Sequence, residues 1–430
     1  MVRILGMVAL VVSFVVAPMV GRAAQPTSEN DTARFLAGIQ PSADSPLLPL
    51  LKDWAWQQHA SRFNGIFAKV ESKQVGRIHT WAGAKLISPS PVLFYMFSGP
   101  DFLYAHAFFP NASTYVMSGL EPVGSIPDLT KLSRDDLDRS LRNVEASLNS
   151  ILTFSFFQTI DMRHTLVASR VTGTLPILYV FLARSGNTIR DVSRVTIDKD
   201  GTVQADDAIA GTAQGANGVR GVKIEFAGDD GRPRTLYYFS ANVDNGSFKP
   251  SGFEAFCERL GAGDALIKSA SYLLHRDRFS DVRNFLLEHS RLLVQDDSGI
   301  PVTQFDQATW QLRPFGHYSG PIGLFANRYQ SQLARLFDQG HTEAIDFGIG
   351  YQWRPQSSNL IVATKTNATI SGDTAGNLPV SPHSGESNKN RSVLGSDATD
   401  RSRSHHSGKH VRRNRSIGSG IRYSSPWPFW

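Results

Sequence analysis

The sequence predicts an α/β or α+β fold in which helices pack on a mixed β-sheet whose central strands are buried. Three observations lead to this fold class. Two apolar runs show no alternation, as in strands buried on both faces, whereas other short runs alternate strictly, as in hairpins with one face in water. Longer segments carry apolar residues at helical spacing. Strands and helices mixed along one chain favour layers of helix on sheet.

The clearest predicted helix starts at Ser133. Ser133 and Asp136 have the spacing of an N-terminal capping box, and apolar side chains follow at helical intervals from Leu137 to Ile151. Other helices are predicted for residues 50–69, 102–109, 253–260, 265–274 and 280–294. The last of these is followed by Gly299 and Pro301, which are common residues just beyond the end of a helix.

The predicted strands fall into two classes. The runs without alternation, which predict strands buried on both faces, are residues 92–97 and 177–182. The alternating runs, which predict an antiparallel hairpin around Asp229-Asp230-Gly231, are residues 222–226 and 235–239. Residues 195–200 followed by Gly201 predict one more hairpin turn.

Residues 1–23 have the layout of a secretory signal peptide. Arg3 precedes an apolar run over residues 4–20, and the small residues Gly21 and Ala23 flank a cleavage point. A membrane anchor is the alternative, but an apolar run of about 17 residues is shorter than the roughly 20 that a bilayer needs. Export is therefore favoured, with a periplasmic or extracellular location and no transmembrane segment in the mature chain.

The mature chain divides into a globular core over residues 24–370, as one large or two closely packed domains, and a tail over residues 371–430. The tail is rich in Ser, Arg and His and poor in apolar residues. Such a composition cannot bury enough apolar surface to offset the entropy of ordering, so the tail is predicted to be disordered.

The charge of the chain is unevenly distributed. The whole sequence has 44 Lys and Arg against 38 Asp and Glu, a formal charge of +6. The tail holds nine bases and four acids, and the signal peptide holds two bases, which leaves the core with 33 bases and 34 acids. A basic nucleic-acid-binding fold is therefore not indicated, and we expect no specific nucleic-acid partner. An anionic envelope polymer or lipid could bind the tail instead.

Cofactor and metal motifs are absent from the sequence. Cys257 is the single cysteine, so a disulfide framework and a Cys-x-x-Cys zinc site are excluded, and we expect Cys257 to be a buried hydrophobic residue. The chain has no Walker loop and no dinucleotide-binding glycine pattern, and the histidines of the core lack metal-ligand spacing. No metal site is predicted, and the cofactor is left open.

The first candidate site follows the buried strand 92–97. Ser98 could act as a nucleophile or bind a ligand, Asp101 could act as a base, and His106 would lie about a turn and a half further along a helix. The alternative is structural, because Ser98 and Asp101 also have the spacing of a capping box for the helix over residues 102–109. Capping is the favoured interpretation.

The second candidate site contains Asp296 and Asp297, placed by the prediction at the end of the helix over residues 280–294. Acids at a helix C-terminus oppose the helix dipole, so a cation or a basic partner would be needed there. His275 is a candidate ligand-binding partner if the chain folds back. An exposed turn is the alternative interpretation.

Two functions remain open from the sequence. The leading hypothesis is an exported protein that binds an envelope or extracellular component, with Trp310 as a candidate ligand-binding aromatic residue. The competing hypothesis is a hydrolase whose catalytic residues are Asp101, His106, Asp296 and Asp297. The hydrolase requires that Asp101 and Asp296 converge on one site, whereas a binding protein should have an aromatic-lined pocket without converging titratable groups.

Overall fold

A computed structural model describes residues 28–156, 170–206, 218–340 and 342–366. The predicted signal peptide over residues 1–23 and the predicted disordered tail over residues 371–430 lie outside these ranges. The domain boundaries at residues 23 and 370 therefore stay predictions.

The described residues form one ten-stranded mixed sheet with helices packed on it, which confirms the predicted fold class. The strands in chain order are β1 (Val92–Tyr95), β2 (Thr114–Gly119), β3 (Thr188–Ile197), β4 (Val203–Ala205), β5 (Val219–Ala227), β6 (Pro233–Ser240), β7 (Gly263–Ile267), β8 (Ser290–Gln295), β9 (Trp310–Gly316) and β10 (Asn359–Lys365). Their order across the sheet is β4-β3-β5-β6-β2-β1-β7-β8-β10-β9. The five strands from β6 to β8 are parallel, and antiparallel strands flank them on both sides.

Helices cover both faces of this sheet. They are α1 (Glu29–Leu36), α2 (Trp54–Val70), α3 (Gly76–Lys85), α4 (Phe102–Phe108), α5 (Arg134–Phe154), α6 (Leu175–Arg184), α7 (Phe253–Arg259), α8 (Ser280–His289) and α9 (Ser331–Gln339), and a π-helical segment (Glu71–Val75) joins α2 to α3. Alternate residues of β1 face opposite layers: Leu93 and Tyr95 belong to the core shared with α1 to α6, and Val92 and Phe94 to the core shared with α7 and α8.

The chain changes direction in the sheet between β1 and β7. From β1 the chain crosses through α4 to β2 on one side, and from β7 it crosses through α8 to β8 on the other side. The neighbouring strands β1 and β7 therefore form a topological switch point. Open α/β sheets bind their ligands in the crevice outside the carboxyl ends of the strands at such a point.

Several predicted elements are confirmed. Helix α5 begins after Ser133, whose Oγ accepts a hydrogen bond of 3.2 Å from the backbone N–H of Asp136. Strands β5 and β6 form the predicted antiparallel hairpin, and β3 and β4 form the predicted second one. Strand β1 is buried along its whole length, and Cys257 is buried in α7. Helix α2 begins at Trp54, a few residues later than predicted.

Three predicted elements are wrong. Residues 177–182 lie in α6, which is buried on all sides and so lacks the polar face that identifies a helix. Residues 265–274 begin as strand β7 and continue as a loop and a short 3₁₀ turn. The helix predicted for residues 280–294 ends at His289, and the chain continues directly as the buried strand β8. Asp296 and Asp297 therefore follow a central strand and do not lie at a helix end.

Candidate active site

Charged side chains gather at the carboxyl ends of three neighbouring parallel strands. Asp101 follows β1, Lys268 follows β7, and Asp296 and Asp297 follow β8. All four are buried, each with 3% exposure or less. Buried charges are costly unless they are paired, so these four residues, which we call the carboxylate cluster, need partners within the fold.

Asp101 and Lys268 form a buried ion pair across the switch point. Lys268 Nζ lies 2.8 Å from Asp101 Oδ2 and 3.8 Å from the centre of the Tyr104 ring, and it also donates to the carbonyl of Ser155. Asp101 accepts a 2.8 Å hydrogen bond from Tyr95 and caps α4 through the N–H of Tyr104. Burial raises the pKa of Asp101 and lowers the pKa of Lys268, and their mutual attraction opposes both shifts.

Asp296 lies on the other side of the same loop. Its Oδ2 accepts a 2.8 Å hydrogen bond from the N–H of Ser269, the residue after Lys268. Its Oδ1 accepts bonds of 2.9 and 2.5 Å from the backbone N–H and the hydroxyl of Ser298. Burial raises the pKa of Asp296, while these donors and Lys268 stabilise its charged form.

Asp297 contacts a different set of side chains from its neighbour. Its Oδ2 accepts a 2.5 Å hydrogen bond from the hydroxyl of Tyr272, and the side chain of Asn359 also contacts it. Burial and the charge of Asp296 raise the pKa of Asp297 to about 7. The two adjacent carboxylates thus have different electrostatic surroundings: the charge of Lys268 favours the charged form of Asp296, whereas the charge of Asp296 disfavours the charged form of Asp297.

The loop after β7 is strained. Ser269, Ser271 and Tyr272 have φ values of 54°, 52° and 53°, in the left-handed region that residues with a side chain rarely adopt. Tyr351 holds this conformation through its hydroxyl, which lies 2.7 Å from Ser271 Oγ and donates to the carbonyl of Ser269 at 3.0 Å. Backbone strain of this kind concentrates at functional sites. Here it places the Ser269 N–H against Asp296 and the Tyr272 hydroxyl against Asp297.

An aromatic cover lies over the cluster. The rings of Tyr351 and Phe325 are 5.1 Å apart, Phe325 and Tyr272 are 5.1 Å apart, and Phe156 packs on Tyr351 at 5.0 Å. Phe156, Phe325 and Tyr351 are each partly exposed. Next to Tyr351, Gly350 packs directly on Asp296, because a Cβ at this position would lie 1.8 Å from Asp296 Oδ2.

Two other predicted site residues lie beside the cluster. Ser98, at the end of β1, donates to the carbonyls of Gly99 and Ser118, while Asp101 and not Ser98 is the N-cap of α4. The ring of His275 packs on Tyr272 at 5.2 Å, and burial lowers the pKa of His275 to about 4. His275 Nε2 is buried, with no hydrogen bond to the residues that the structure describes.

Two predicted residues lie elsewhere. His106 is on α4 and lines a separate cavity with residues of α2 and α3. Trp310 begins the edge strand β9, where it packs on Phe305 at 5.5 Å and beneath the ammonium group of Lys365. The structure therefore brings together Asp101, Asp296 and Asp297 but joins neither His106 nor Trp310 to them.

Lys268 and Tyr272 belong to the site although no sequence pattern selected them. Lys268 follows the apolar residues Ala265, Leu266 and Ile267, a run whose composition favours a helix. The apolar run could have identified Lys268 if it had been interpreted as a short buried strand. A lysine directly after such a strand occupies the same position in the sheet as Asp101 after β1. Nothing in the sequence indicates that Tyr272 reaches Asp297.

Comparisons with known proteins do not assign this chain to a family. No protein-family model, curated protein or solved structure matches the chain. In the parts of the chain that the structure describes, no three His, Cys, Asp or Glu side chains are arranged to hold a metal ion. Over the same ranges, every helix is too short or too polar to cross a bilayer.

Proposed function

We propose that this protein is a hydrolase that cleaves glycosidic bonds by acid–base chemistry at the carboxylate cluster. The observation that carries the proposal is the pair Asp296 and Asp297. Pairs of carboxyl groups whose environments separate their protonation behaviour are typical of sites where one acts as acid and the other stays charged. The pair follows β8, beside the topological switch point between β1 and β7, and Asp296 contacts the loop after β7, which supports the same conclusion.

In the proposed reaction Asp297 is the general acid. The protonated Asp297 gives its proton to the glycosidic oxygen, the bond from that oxygen to the anomeric carbon breaks, and the leaving sugar departs as an alcohol. The negative charge of Asp296 stabilises the positive charge that develops on the remaining sugar. Water then attacks the anomeric carbon and passes its proton to the carboxylate of Asp297, which restores the starting state.

The remaining residues position these two carboxylates. The N–H groups of Ser269 and Ser298 donate to Asp296 and favour its charged form against the burial that raises its pKa, and the hydroxyl of Tyr272 orients Asp297. The aromatic faces of Phe325 and Tyr351 provide the flat apolar surface on which sugar rings pack. Because Gly350 and Tyr351 cover the cluster, a substrate reaches Asp297 only after this cover moves, and such loop movements commonly limit turnover.

The test is to assay the full chain on bacterial peptidoglycan and on soluble oligosaccharides for the release of new reducing ends. We expect activity that falls as pH rises through about 7, because the acid form of Asp297 is lost there. Esters and phosphate esters of p-nitrophenol serve as controls for other hydrolytic chemistry. Hydrolysis of these esters without cleavage of any glycan would contradict the proposal.

The sequence of the two chain ends supports a second proposal, that the protein is exported and held at an anionic envelope surface by its tail. The tail carries nine bases and four acids, whereas the core is close to neutral. Basic residues near an anionic membrane contribute roughly 1 kcal/mol each, and salt screens this attraction.

Deletion of residues 371–430 should abolish salt-sensitive binding to anionic surfaces and leave the fold intact. The measurement is co-sedimentation with phosphatidylglycerol vesicles at low and high salt, with phosphatidylcholine vesicles as the neutral control. A full-length variant with the nine basic tail residues replaced by Ser should lose binding to the same extent. Unchanged binding after deletion, or loss of the circular dichroism spectrum of the core, would refute this division of roles.

A further inference from the structure

A cavity of about 500 Å³ lies among α2, the π-helical segment, α3, α4 and the end of α6. It shares no lining residue with the carboxylate cluster. Volumes of this size accommodate small organic ligands. The π-helical turn contributes Glu71 and Val75 to the wall, and π-helical turns inserted in α-helices occur frequently at functional sites.

Arg184 is a cation on this wall that lacks an anionic partner among the described residues. Its guanidinium stacks on Phe67 at 4.8 Å and donates to the carbonyl of Ala37, and its Nε is buried without a hydrogen bond to any described residue. Burial lowers the pKa of Arg184 to about 10, and within the described ranges no carboxylate opposes this shift. A partly buried charge of this kind is unfavourable unless an anion compensates it.

Other donors face the same space. Asn64, His79 and His106 line the cavity together with Arg184. Burial lowers the pKa of His106 to about 4, with Arg234 and His79 adding to the effect, so His106 is a neutral imidazole at physiological pH. Glu71 also lines the cavity, but its side chain is exposed and forms no ion pair with Arg184.

Most of the remaining lining is apolar, with Ser185 as the exception. Phe67, Val70, Val75, Leu103 and Ala107 form walls without charge. A free inorganic anion would neutralise the charge of Arg184 but would leave the apolar walls in contact with water. An uncharged apolar ligand would cover these walls but would leave the charge of Arg184 without an anion. The lining therefore matches a ligand with an acidic head and an apolar body.

We propose that this cavity is a binding site for an organic acid whose carboxylate pairs with Arg184 and whose hydrocarbon body packs against Phe67, Val70 and Leu103. An Arg guanidinium recognises a carboxylate through two parallel hydrogen bonds, and the stacked Phe67 ring holds the guanidinium plane in place. The site is independent of the proposed hydrolase activity.

The experiment is calorimetric titration of the full chain with octanoate. Octanol, which lacks the acidic head group, and inorganic phosphate, which lacks the hydrocarbon body, are the control probes. We expect octanoate to bind at least about tenfold more tightly than either control probe. Arg184→Gln should weaken octanoate binding by about tenfold or more. Arg190→Gln, at an exposed arginine of β3, should leave it unchanged.

A second pair of variants keeps the proposal testable if Arg184→Gln does not fold. Ala68 lines the cavity but is exposed on α2, so Ala68→Trp should block the cavity without entering the core. Ser61→Trp, at an exposed position on the same helix outside the cavity, is its control. Equal binding of octanoate and octanol, or octanoate binding that survives both Arg184→Gln and Ala68→Trp, would overturn the proposal, as would the absence of octanoate binding.

Discussion

Asp297→Asn is expected to lower the rate of glycan cleavage by roughly 10²- to 10⁴-fold, the usual contribution of a general acid. Asparagine retains an oxygen that can accept the hydrogen bond from Tyr272, so the site keeps its geometry. The variant cannot supply the proton, and KM should therefore change little while kcat falls. The measurement is the release of reducing ends under substrate saturation.

The same substitution should leave the protein at least as stable at pH 8. The pKa of Asp297 is raised in the folded state to about 7 from an ordinary value of 3.8, so ionisation is less favourable in the folded than in the unfolded chain. The wild type therefore loses stability as pH rises from about 4 to 7, and the Asp297→Asn variant avoids this loss because its amide is neutral at every pH.

Urea unfolding at pH 5 and pH 8 measures this difference. The stability of the variant relative to the wild type should increase with pH, whereas Asp44→Asn, at an exposed aspartate, should show no such trend. A variant that is destabilised at pH 8 and inactive only in proportion to its unfolded fraction would show that Asp297 has a structural role and no catalytic one.

Lys268→Met is expected to lower the free energy of unfolding by about 3–5 kcal/mol, because it leaves Asp101 buried without its cation. Methionine fills a similar volume, so the loss comes from charge and not from a cavity. The measurement is urea-induced unfolding at pH 7. Lys131→Met, at an exposed lysine 3.1 Å from Asp128, should cost about 1 kcal/mol or less.

A double variant separates the unpaired charge from other causes. Lys268→Met combined with Asp101→Asn removes both charges, so it should recover part of the stability that Lys268→Met loses. If the double variant is destabilised by the full sum of the two single effects, the ion pair is not the reason for the loss. The stabilities of the single and double variants can be compared even if the single variants are only partly folded, because the midpoints of their unfolding transitions can still be ranked.

Much of the fold could be predicted because many elements have one face in water. The polar faces of α5 and of the β5–β6 hairpin set a clear period in the sequence. Helix α6 and strand β7 are buried nearly throughout, and β8 is buried except at Arg291, so periodicity alone cannot separate these strands from a buried helix. The boundary between α8 and β8 falls between His289 and Ser290, without a turn residue to mark it.

The site could be predicted only in part for the same reason. Asp101, Asp296 and Asp297 stand out as acids beside apolar runs, so the sequence identifies them. Their convergence depends on the adjacency of β1 and β7, strands separated by more than 160 residues in the chain. Lys268 can be identified as their partner only when residues 263–267 are known to form a strand. The contact between Tyr272 and Asp297 depends on a left-handed backbone conformation that no sequence pattern indicated.

The position of β10 affects when this protein can finish folding. β10 is the last described strand in the sequence, yet it lies inside the sheet, where Ile361 is opposite Gln295 of β8 on one side and Pro314 of β9 on the other. Until the ribosome has added residues 359–365, β8 and β9 each have an open edge that could pair with another chain. Completion of the sheet therefore follows synthesis of nearly the whole core. This order suits the proposed export, since a polypeptide must stay unfolded while it is threaded through a membrane.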